Sequence, residues 1–448
     1  MSEAPSTAPA GPTAPAGRER TMTVRGAAFL GIGSMVGAGI FALLGQAGAV
    51  AGSAVWISFL IAGGIATLQG YAIAKLGATY PSSGGIVTFL LKGFGPGRLT
   101  AVTSWLLYFA SLIVSAMVAT SFGSYGASLF SGGGEPSTVT AKLLTVGLVV
   151  AVAVVNIAGT AFIDRIQSWI VIALLAVFAV FVVVTLSQLD RHLLAPSTYP
   201  PAVDIVSSIA LTFFAFLGFA VISFTGGDLP QPAKNLPRAM YLALGITTLL
   251  YVLVSFGVFG TLTVDDVVAH GDTALAEAAR PVLGDAGFAM MAVAALLATS
   301  SSVNANIYAA VGSTSKLAES GTFPPVFGAR ARVGGTRGLT ISAAAVLVLA
   351  LFVDLTAIAS LGSAVALLIF LMTSIAALRL RHETGSRTML IVAAIVATAV
   401  VLVVFAIDTL RKQPATFVAM VAVLLLAIAL DLAWTRTREH RRHADVPG

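Results

Sequence analysis

From residue 26 onward the chain alternates between long apolar runs and short polar breaks. Each run approaches the roughly 20 residues that an α-helix needs to cross the hydrocarbon core of a bilayer. The pattern therefore predicts an all-α integral membrane protein with twelve membrane-spanning helices. The predicted spans lie near residues 26–50, 52–75, 98–126, 138–159, 164–188, 204–227, 238–261, 284–313, 338–353, 355–379, 388–408 and 414–434.

Two of the apolar runs contain glycines where a straight membrane helix would disfavour them. The first run holds Gly37, Ala38 and Gly39, and the sixth run holds Gly218. Backbone groups in hydrocarbon are tolerated without helical partners only where they line a cavity or are buried in protein. Paired interruptions in the two halves of a bundle indicate the midplane binding site of a secondary transporter.

The composition supports a membrane protein and argues against two other functions. Hydrophobic residues make up 57% of the chain, charged residues make up 10%, and the mean hydropathy is +0.96. The chain has no cysteine, and its five histidines fall in predicted loops or in the tail. A membrane-embedded enzyme would need a nucleophile, paired carboxylates or histidine ligands at one depth, and a channel would need a selectivity ring. Enzyme and channel therefore remain remote alternatives, and no cofactor or metal is predicted.

The basic residues predict the orientation of the chain. Residues 1–17 are rich in Pro, Ala, Ser and Thr, so we expect a disordered tail that is not a signal peptide. With this tail in the cytoplasm, five of the 25 basic residues fall outside and the other 20 fall inside. This asymmetry follows the positive-inside rule and places both termini on the cytoplasmic side of the plasma membrane. Residues 437–448 then form a basic cytoplasmic tail that meets anionic lipid, and no nucleic acid partner is expected.

Several segments, in order, resemble those of one transporter superfamily. The segment GIGSMVGAGIF at residues 31–41 resembles the first-helix signature of the amino acid/polyamine/organocation permeases. Similar matches to their second, sixth, eighth and tenth helices are YPSSGG at 80–85, FFAFLGF at 213–219, SKLAESGTFPPVF at 315–327 and ASLGSAVALLIFLMTSIAALRLR at 359–381. The resemblance thus covers most of the chain and is specific to the superfamily, but not to a substrate.

The resemblance implies a five-plus-five inverted repeat of the LeuT type within a transmembrane domain at residues 18–436. Repeat one would span about 26–188 and repeat two about 204–379, with two appended helices at about 388–434. Helices 1 and 6 would be the broken pair, in agreement with the glycine interruptions. The implied function is secondary active transport of amino acids by alternating access.

The glycine breaks and the resemblance together assign a set of substrate-binding residues. They are Met35, Gly37, Ala38, Gly39, Ile40, Phe214, Phe216, Leu217, Gly218, Phe219 and Asn306. Amides at the start of the half-helix near Ile40 suit a carboxylate, because the positive end of the helix dipole lies there. By resemblance, the carbonyls of Met35, Phe214 and Leu217 would accept the substrate ammonium, and an aromatic residue of helix 6 would act as a gate. Asn306 is expected to bond either the substrate side chain or a neighbouring helix.

The substrate charge and the coupling ion are less specified. No acidic or basic residue lies at membrane depth near Gly218 or in helix 3, which favours a neutral amino acid. A polyamine or other organic amine is the alternative, although it would leave the helix 1 amides unmatched. Ser300 and Ser301 align with hydroxyls that bind sodium in some members of the wider fold, yet such hydroxyls also bond their own helix. Coupling to Na⁺ or H⁺, exchange and uniport stay open, as does the oligomeric state.

The longest predicted exterior segment, at about 262–284, carries the acidic residues Asp265, Asp266, Asp272 and Glu277 among small ones, and Asp285 follows directly after it. This composition predicts a short helical cap with a solvated acidic face. We therefore expect no role for the segment in substrate recognition.

Overall fold

The computed structural model describes residues 22–82, 84–131, 136–158, 163–319, 321–331 and 335–444. The predicted tail at residues 1–17 lies outside these ranges. The described chain folds into α-helices with short 3₁₀ segments, and its one β-type contact is an isolated bridge between Arg330 and Thr336. The helices are α1 Val24–Ala38, α2 Ile40–Ala51, α3 Val55–Thr79, α4 Ile86–Phe94, α5 Arg98–Phe130, α6 Thr138–Ala158, α7 Ile163–Ser187, α8 Ala202–Phe214, α9 Pro232–Phe259, α10 Val264–His270, α11 Ala274–Glu277, α12 Arg280–Glu319, α13 Arg337–Phe352, α14 Leu355–Arg379, α15 Arg381–Thr384, α16 Thr388–Lys412 and α17 Pro414–Ala444.

Most of these helices are long and apolar enough to cross a membrane. By length and composition, ten helical stretches in the described part of the chain qualify, and α2 and α3 count together as one of them. Two further apolar helices, α1 and α13, are shorter. The all-α membrane class predicted from the apolar runs is thus confirmed. Helix α17 continues to Ala444, so the first part of the predicted basic tail is helical.

The two glycine-containing runs are the places where an α-helix ends before its apolar run does. Helix α1 ends at Ala38, Gly39 leaves helical geometry with φ −96° and ψ −80°, and α2 begins at the next residue. In the sixth run α8 ends at Phe214, and the chain continues as a 3₁₀ segment from Leu217 to Gly227. Both runs therefore carry backbone groups that regular α-helical bonding does not satisfy.

One buried side chain connects the appended helix α16 to the bundle. The Gln69 side chain of α3 is fully buried, and its Nε2 donates to Thr398 Oγ1 of α16 at 2.7 Å. Its Oε1 accepts from Ser374 Oγ of α14 at 2.5 Å. A buried amide bonded at both ends in this way holds three helices in register, because each group would otherwise be unpaired in an apolar interior.

A Gln69→Ala variant is therefore expected to be less stable, because it leaves Ser374 and Thr398 without this partner. Losing buried hydrogen bonds of this kind costs about 1–3 kcal/mol, which we expect to lower the melting temperature of the purified protein in detergent by several degrees. Gln413→Ala, at an exposed glutamine, is the control and should melt like the unmodified chain. Equal melting temperatures for both variants would contradict a structural role for Gln69.

Candidate functional site

The two interrupted runs cross in the middle of the bundle at glycine positions. A Cβ built at Gly218 would lie 2.4 Å from the amide nitrogen of Met35 and 2.5 Å from the carbonyl carbon of Ser34. A Cβ built at Gly39 would lie 2.5 Å from the carbonyl oxygen of Ala215. No side chain fits in such gaps, so glycine is needed for the two backbones to approach this closely. The interruptions thus meet each other at one place.

Tyr251 of α9 bridges the two interruptions. Its hydroxyl lies 2.6 Å from the Met35 carbonyl oxygen and 3.1 Å from the Ala215 carbonyl oxygen, in the geometry of a donor shared between both. The ring is fully buried, and the Phe216 ring lies against it with the centroids 5.0 Å apart. One phenol thus satisfies backbone groups at both helix ends, and we call this arrangement the Tyr251 joint.

The Tyr251 joint changes what the predicted ammonium site offers. The Met35 carbonyl accepts from the Tyr251 hydroxyl and also from the Gly39 amide at 2.7 Å. A carbonyl oxygen has two lone pairs, so in this conformation both are engaged. On the other side of the break, the amides of the first turn of α2 have no acceptor within their own helix. The anion-binding character expected of this helix start is therefore present in the backbone.

A cavity lies next to this crossing, between α5, the 3₁₀ segment, α12 and α14. It is narrow, because the centres of water-sized molecules have only about 50 Å³ available to them in it. Of the predicted site residues, Leu217, Gly218 and Asn306 line it. The wall from α14 includes Phe370, which the sequence analysis did not identify. The cavity occupies the half of the bundle where α1 begins and α12 ends.

The polar side chains of this cavity present acceptors. Four of its side chains donate to the carbonyl four positions earlier in their own helix, at 2.8–3.1 Å. These residues are Ser104, Ser111, Asn306 and Thr314. Such bonds use the donor hydrogen of a hydroxyl and leave its oxygen as an acceptor. The amide of Asn306 donates in the same way, so its carbonyl oxygen is the end that can accept.

The remaining predicted substrate residues are buried behind the cavity wall. Within the described chain, the cavity lining does not include the residues of the first interruption or the three predicted phenylalanines of the sixth run. The Phe214 ring packs on Gly362, where a Cβ would lie 2.1 Å from its Cζ. The Phe219 ring stacks on Phe370 at 4.9 Å between centroids, so the ring that faces the cavity is Phe370, supported by Phe219. The residues of the first interruption are Met35, Gly37, Ala38, Gly39 and Ile40, all buried.

The predicted ion ligands lie on α12 close to α1. Ser300 is half-buried and donates to the Leu297 carbonyl at 3.0 Å, and Ser301 is also half-buried. Gly37 of α1 packs against one surface of α12. A Cβ built at Gly37 would lie 2.3 Å from the Ala298 carbonyl oxygen and 2.7 Å from Ser302 Cβ. Ser302 is therefore a hydroxyl residue of α12 that lies against α1.

Two other polar residues of the eighth span, Asn304 and Tyr308, lie away from the cavity. Asn304 accepts from Asn156 Nδ2 of α6 at 2.9 Å, which is an interhelical bond. Tyr308 is 57% exposed on the outer surface of the bundle.

The Tyr251 joint could have been suspected from one signal in the sequence. A tyrosine inside an apolar span needs a partner for its hydroxyl, because an unpaired hydroxyl at bilayer depth is unfavourable. The sequence did not reveal which partner it finds, since Met35 and Ala215 are 216 and 36 residues away along the chain.

Comparisons with known proteins agree with this architecture. A sequence profile of the family described as amino acid permease matches residues 22–430. The inner membrane transport protein YbaT of Escherichia coli (strain K12) is 30% identical over 410 residues, which cover 91% of this chain and 95% of that protein. The serine/threonine exchanger SteT of Bacillus subtilis is 29% identical over 281 residues, or 62% and 63% of the two chains. The methylthioribose transporter of Bacillus subtilis is 27% identical over 326 residues, or 69% of each.

Proposed function

Because the chain belongs to the amino acid permease family, we propose that it carries neutral amino acids across the cytoplasmic membrane by alternating access. Its family and its relatives are transporters, so the chain is a transporter and not an enzyme. The observation that carries the substrate proposal is the Tyr251 joint, where two interrupted spans meet. Backbone donors and acceptors gathered at mid-depth suit a small zwitterion, which has both an anionic and a cationic end.

We propose twelve membrane spans in a five-plus-five inverted repeat. Helices α1 and α2 together then form the first span, and α13 forms the ninth. The interrupted spans are the first of each repeat and cross the membrane in opposite directions, as an inverted repeat requires. The excess of basic residues on the side where α1 begins supports a cytoplasmic location for both termini. The cavity would then be open toward the cytoplasm.

In the proposed complex, the substrate carboxylate lies at the first turn of α2, on amides that have no helical acceptor. The ammonium bonds the carbonyls of Met35, Phe214 and Leu217. Since the Met35 carbonyl is engaged by Tyr251 in this conformation, we propose that the ammonium replaces that hydroxyl when substrate binds. Tyr251 would thus sense the occupied site and link it to the relative position of α1 and the 3₁₀ segment.

The lining of the cavity supports a neutral substrate side chain. No charged side chain is among the described residues that line it. A buried charge on the substrate would therefore have no partner, which is unfavourable in a low-dielectric site. The acceptor oxygens of Ser104, Ser111 and Asn306 suit a substrate that carries a hydroxyl donor. The similarity to a serine/threonine exchanger is consistent with this class.

Uptake into proteoliposomes tests the proposal. Radiolabelled serine, threonine, alanine and isoleucine are offered with sodium and proton gradients imposed separately, with a polyamine and methylthioribose as competitors. We expect a neutral amino acid to accumulate and the two competitors to have little effect. The proposal would be overturned if the protein transported a polyamine or methylthioribose and none of the amino acids.

We further propose that any sodium coupling uses α12 hydroxyls. The candidates are Ser300 and Ser301, and Ser302 serves as the comparison because it faces α1. Oxygen ligands suit a hard cation. If sodium dependence of uptake is unchanged in both Ser300→Ala and Ser301→Ala, these two residues are not the ligands, and proton coupling, exchange or uniport becomes the better description.

An Asn306→Ala variant is expected to change affinity and selectivity without abolishing transport. Hydrogen bonds between helices at bilayer depth contribute about 0.6–1.7 kcal/mol, and a bond of the same strength to the substrate means that KM for a hydroxyl-bearing substrate should rise about three- to twentyfold. The matched control is Asn304→Ala, which removes an amide bonded to Asn156 and outside the cavity. It should lower stability and leave the KM ratio of serine to alanine unchanged. The same shift of that ratio in both variants would contradict a substrate contact for Asn306.

A further inference from the structure

The segment that contains α10 and α11 covers the side of the bundle opposite to the cavity, and we call it the outer cap. It runs from Val264 to Glu277, and its inner surface is buried, including Val267 and Leu275. A Cβ built at Gly45 of α2 would lie 2.1 Å from the carbonyl oxygen of Gly271 in this cap. The cap therefore rests directly on the backbone of α2. The acidic composition predicts a solvated face here, but much of the cap is packed.

One acidic side chain ties the outer cap to the helices beneath it. Ser124 Oγ of α5 donates to Asp272 Oδ2 at 2.8 Å. The side chain of Gln46 in α2 lies close enough to lower the pKa of the same carboxyl group. Thr356 Oγ1, in the first turn of α14, donates to Gln46 Oε1 at 2.8 Å. The carboxylate thus bonds the cap to α5, beside a glutamine that bonds α2 to α14.

We propose that Asp272 is the positioning residue of the outer gate: its carboxyl group holds the cap on α2 and α5, and gain of a proton there stabilises the closed gate. This inference rests on the alternating-access function proposed above, in which α2 must move when the outer side opens. The cap has to lift with that movement, since Gly271 lies against Gly45 with no room between them. Lifting separates Asp272 from both Ser124 and Gln46 and exposes the carboxyl group to water.

The sign of the pH effect follows from burial. Burial raises the pKa of Asp272 in the closed arrangement, and the hydrogen bonds from Ser124 and Gln46 partly oppose this rise. When the cap lifts, hydration returns the pKa to its ordinary range. Closing therefore takes up a proton between the two values. The closed gate is favoured at low pH and loses this stabilisation as the pH rises through the closed-state pKa.

Asp272 lines a recess on the surface of the bundle, and other titratable groups line it too. Lys142 of α6, His270 of α10 and Asp354 before α14 line it, and Tyr125 of α5 is within electrostatic reach of Asp272. His270 is the histidine among the residues that line this recess, so it is the competing candidate for a pH response. Its ring Nδ1 lies 2.8 Å from the carbonyl oxygen of Asp266 in its own helix and is exposed. His270 therefore needs its own variant in the test.

The absence of cysteine from the chain allows a direct measurement of cap lifting. Ala274→Cys places a thiol at a position of the cap that is 1% exposed, and Val268→Cys places one at a position that is 51% exposed. The labelling rate with a membrane-impermeant maleimide added outside proteoliposomes is measured for each between pH 5 and pH 8. The readout is the rate for Ala274→Cys divided by the rate for Val268→Cys. The intrinsic pH dependence of thiol reactivity cancels in this ratio. No substrate is needed, so a failure to find amino acid uptake leaves this readout intact.

The ratio should rise with pH, by about tenfold for each unit that separates the two pKa values. In Asp272→Asn, which keeps an acceptor but cannot titrate, the ratio should stay at its low acidic value throughout. In Ser124→Ala, which removes a bond that lowers the pKa, the midpoint should move to higher pH. His270→Asn and Asp265→Asn, on the same segment, should behave like the unmodified cap. A pH slope that persists in Asp272→Asn or disappears in His270→Asn would overturn the proposal, with folding of each variant checked by size exclusion.

Discussion

A Gly39→Ala variant should transport about ten- to a hundredfold more slowly than the unmodified chain. The added Cβ would lie 2.2 Å from the Tyr251 hydroxyl, 2.5 Å from the Ala215 carbonyl oxygen and 2.7 Å from the Met35 carbonyl oxygen. Two of these atoms belong to backbone, so the clash is relieved only if the two interrupted spans move apart. Overpacking of this kind costs about 1–3 kcal/mol, and here it acts on the groups proposed to bind substrate. Gly39→Val adds more bulk and should abolish uptake.

Gly245 in α9 provides the matched control. A Cβ at this position would meet nothing within 4 Å. Gly245→Ala should therefore transport normally and gain up to about 1 kcal/mol of stability, because alanine favours a helix more than glycine does. Initial uptake rates in proteoliposomes, with melting temperatures in detergent, separate the two effects. Normal uptake by Gly39→Ala would rule out the proposed binding of the substrate carboxylate at the first turn of α2.

Tyr251→Phe should have an effect nearly as large, because it removes a hydroxyl that bonds both interruptions. The Ala215 carbonyl loses its 3.1 Å partner and the Met35 carbonyl loses its 2.6 Å partner, both in a buried environment. The Met35 carbonyl keeps its bond from the Gly39 amide. Losing the two bonds to the phenol costs about 1–3 kcal/mol in all, and the relative position of α1 and the 3₁₀ segment is no longer fixed. We expect uptake to fall at least tenfold and the melting temperature to fall with it.

The control for this change is Tyr308→Phe, which removes a hydroxyl from a tyrosine that is 57% exposed. It should leave uptake and melting temperature unchanged. Gly39→Ala and Tyr251→Phe act on the same joint, so their combined effect should be smaller than the sum of the two free-energy changes. Full additivity, or a Tyr251→Phe variant with normal uptake, would show that the phenol is only a packing residue.

The helices were predictable from the apolar runs because hydrocarbon leaves a chain few ways to satisfy its backbone. The first interruption was equally predictable, and the structure ends α1 one residue before Gly39. The sixth run was predicted less sharply. There α8 ends at Phe214, four residues before Gly218, because Gly218 serves the close approach to Met35 and not the helix end itself.

The residues that were not predicted act across long stretches of sequence. Tyr251 bonds a carbonyl 216 residues away, and Asp272 bonds a serine 148 residues away. Periodicity and composition describe neighbours along one helix, so they carry no information on such pairs. The same limit applies to the outer cap. Its acidic composition indicates average exposure, but it does not show which carboxylate a neighbouring helix covers.

The most direct test of a zwitterion site is competition with analogues that lack one charged end. Binding of a transported neutral amino acid is measured on purified protein against its amide, which lacks the carboxylate, and its N-acetyl derivative, which lacks the ammonium. If the half-helix amides and the carbonyls of the joint hold the two ends, only the free amino acid should compete, and each blocked analogue should bind at least about a hundredfold more weakly. Equal competition by the amide would show that the carboxylate is not recognised, which would contradict the proposed site and favour an amine as the substrate.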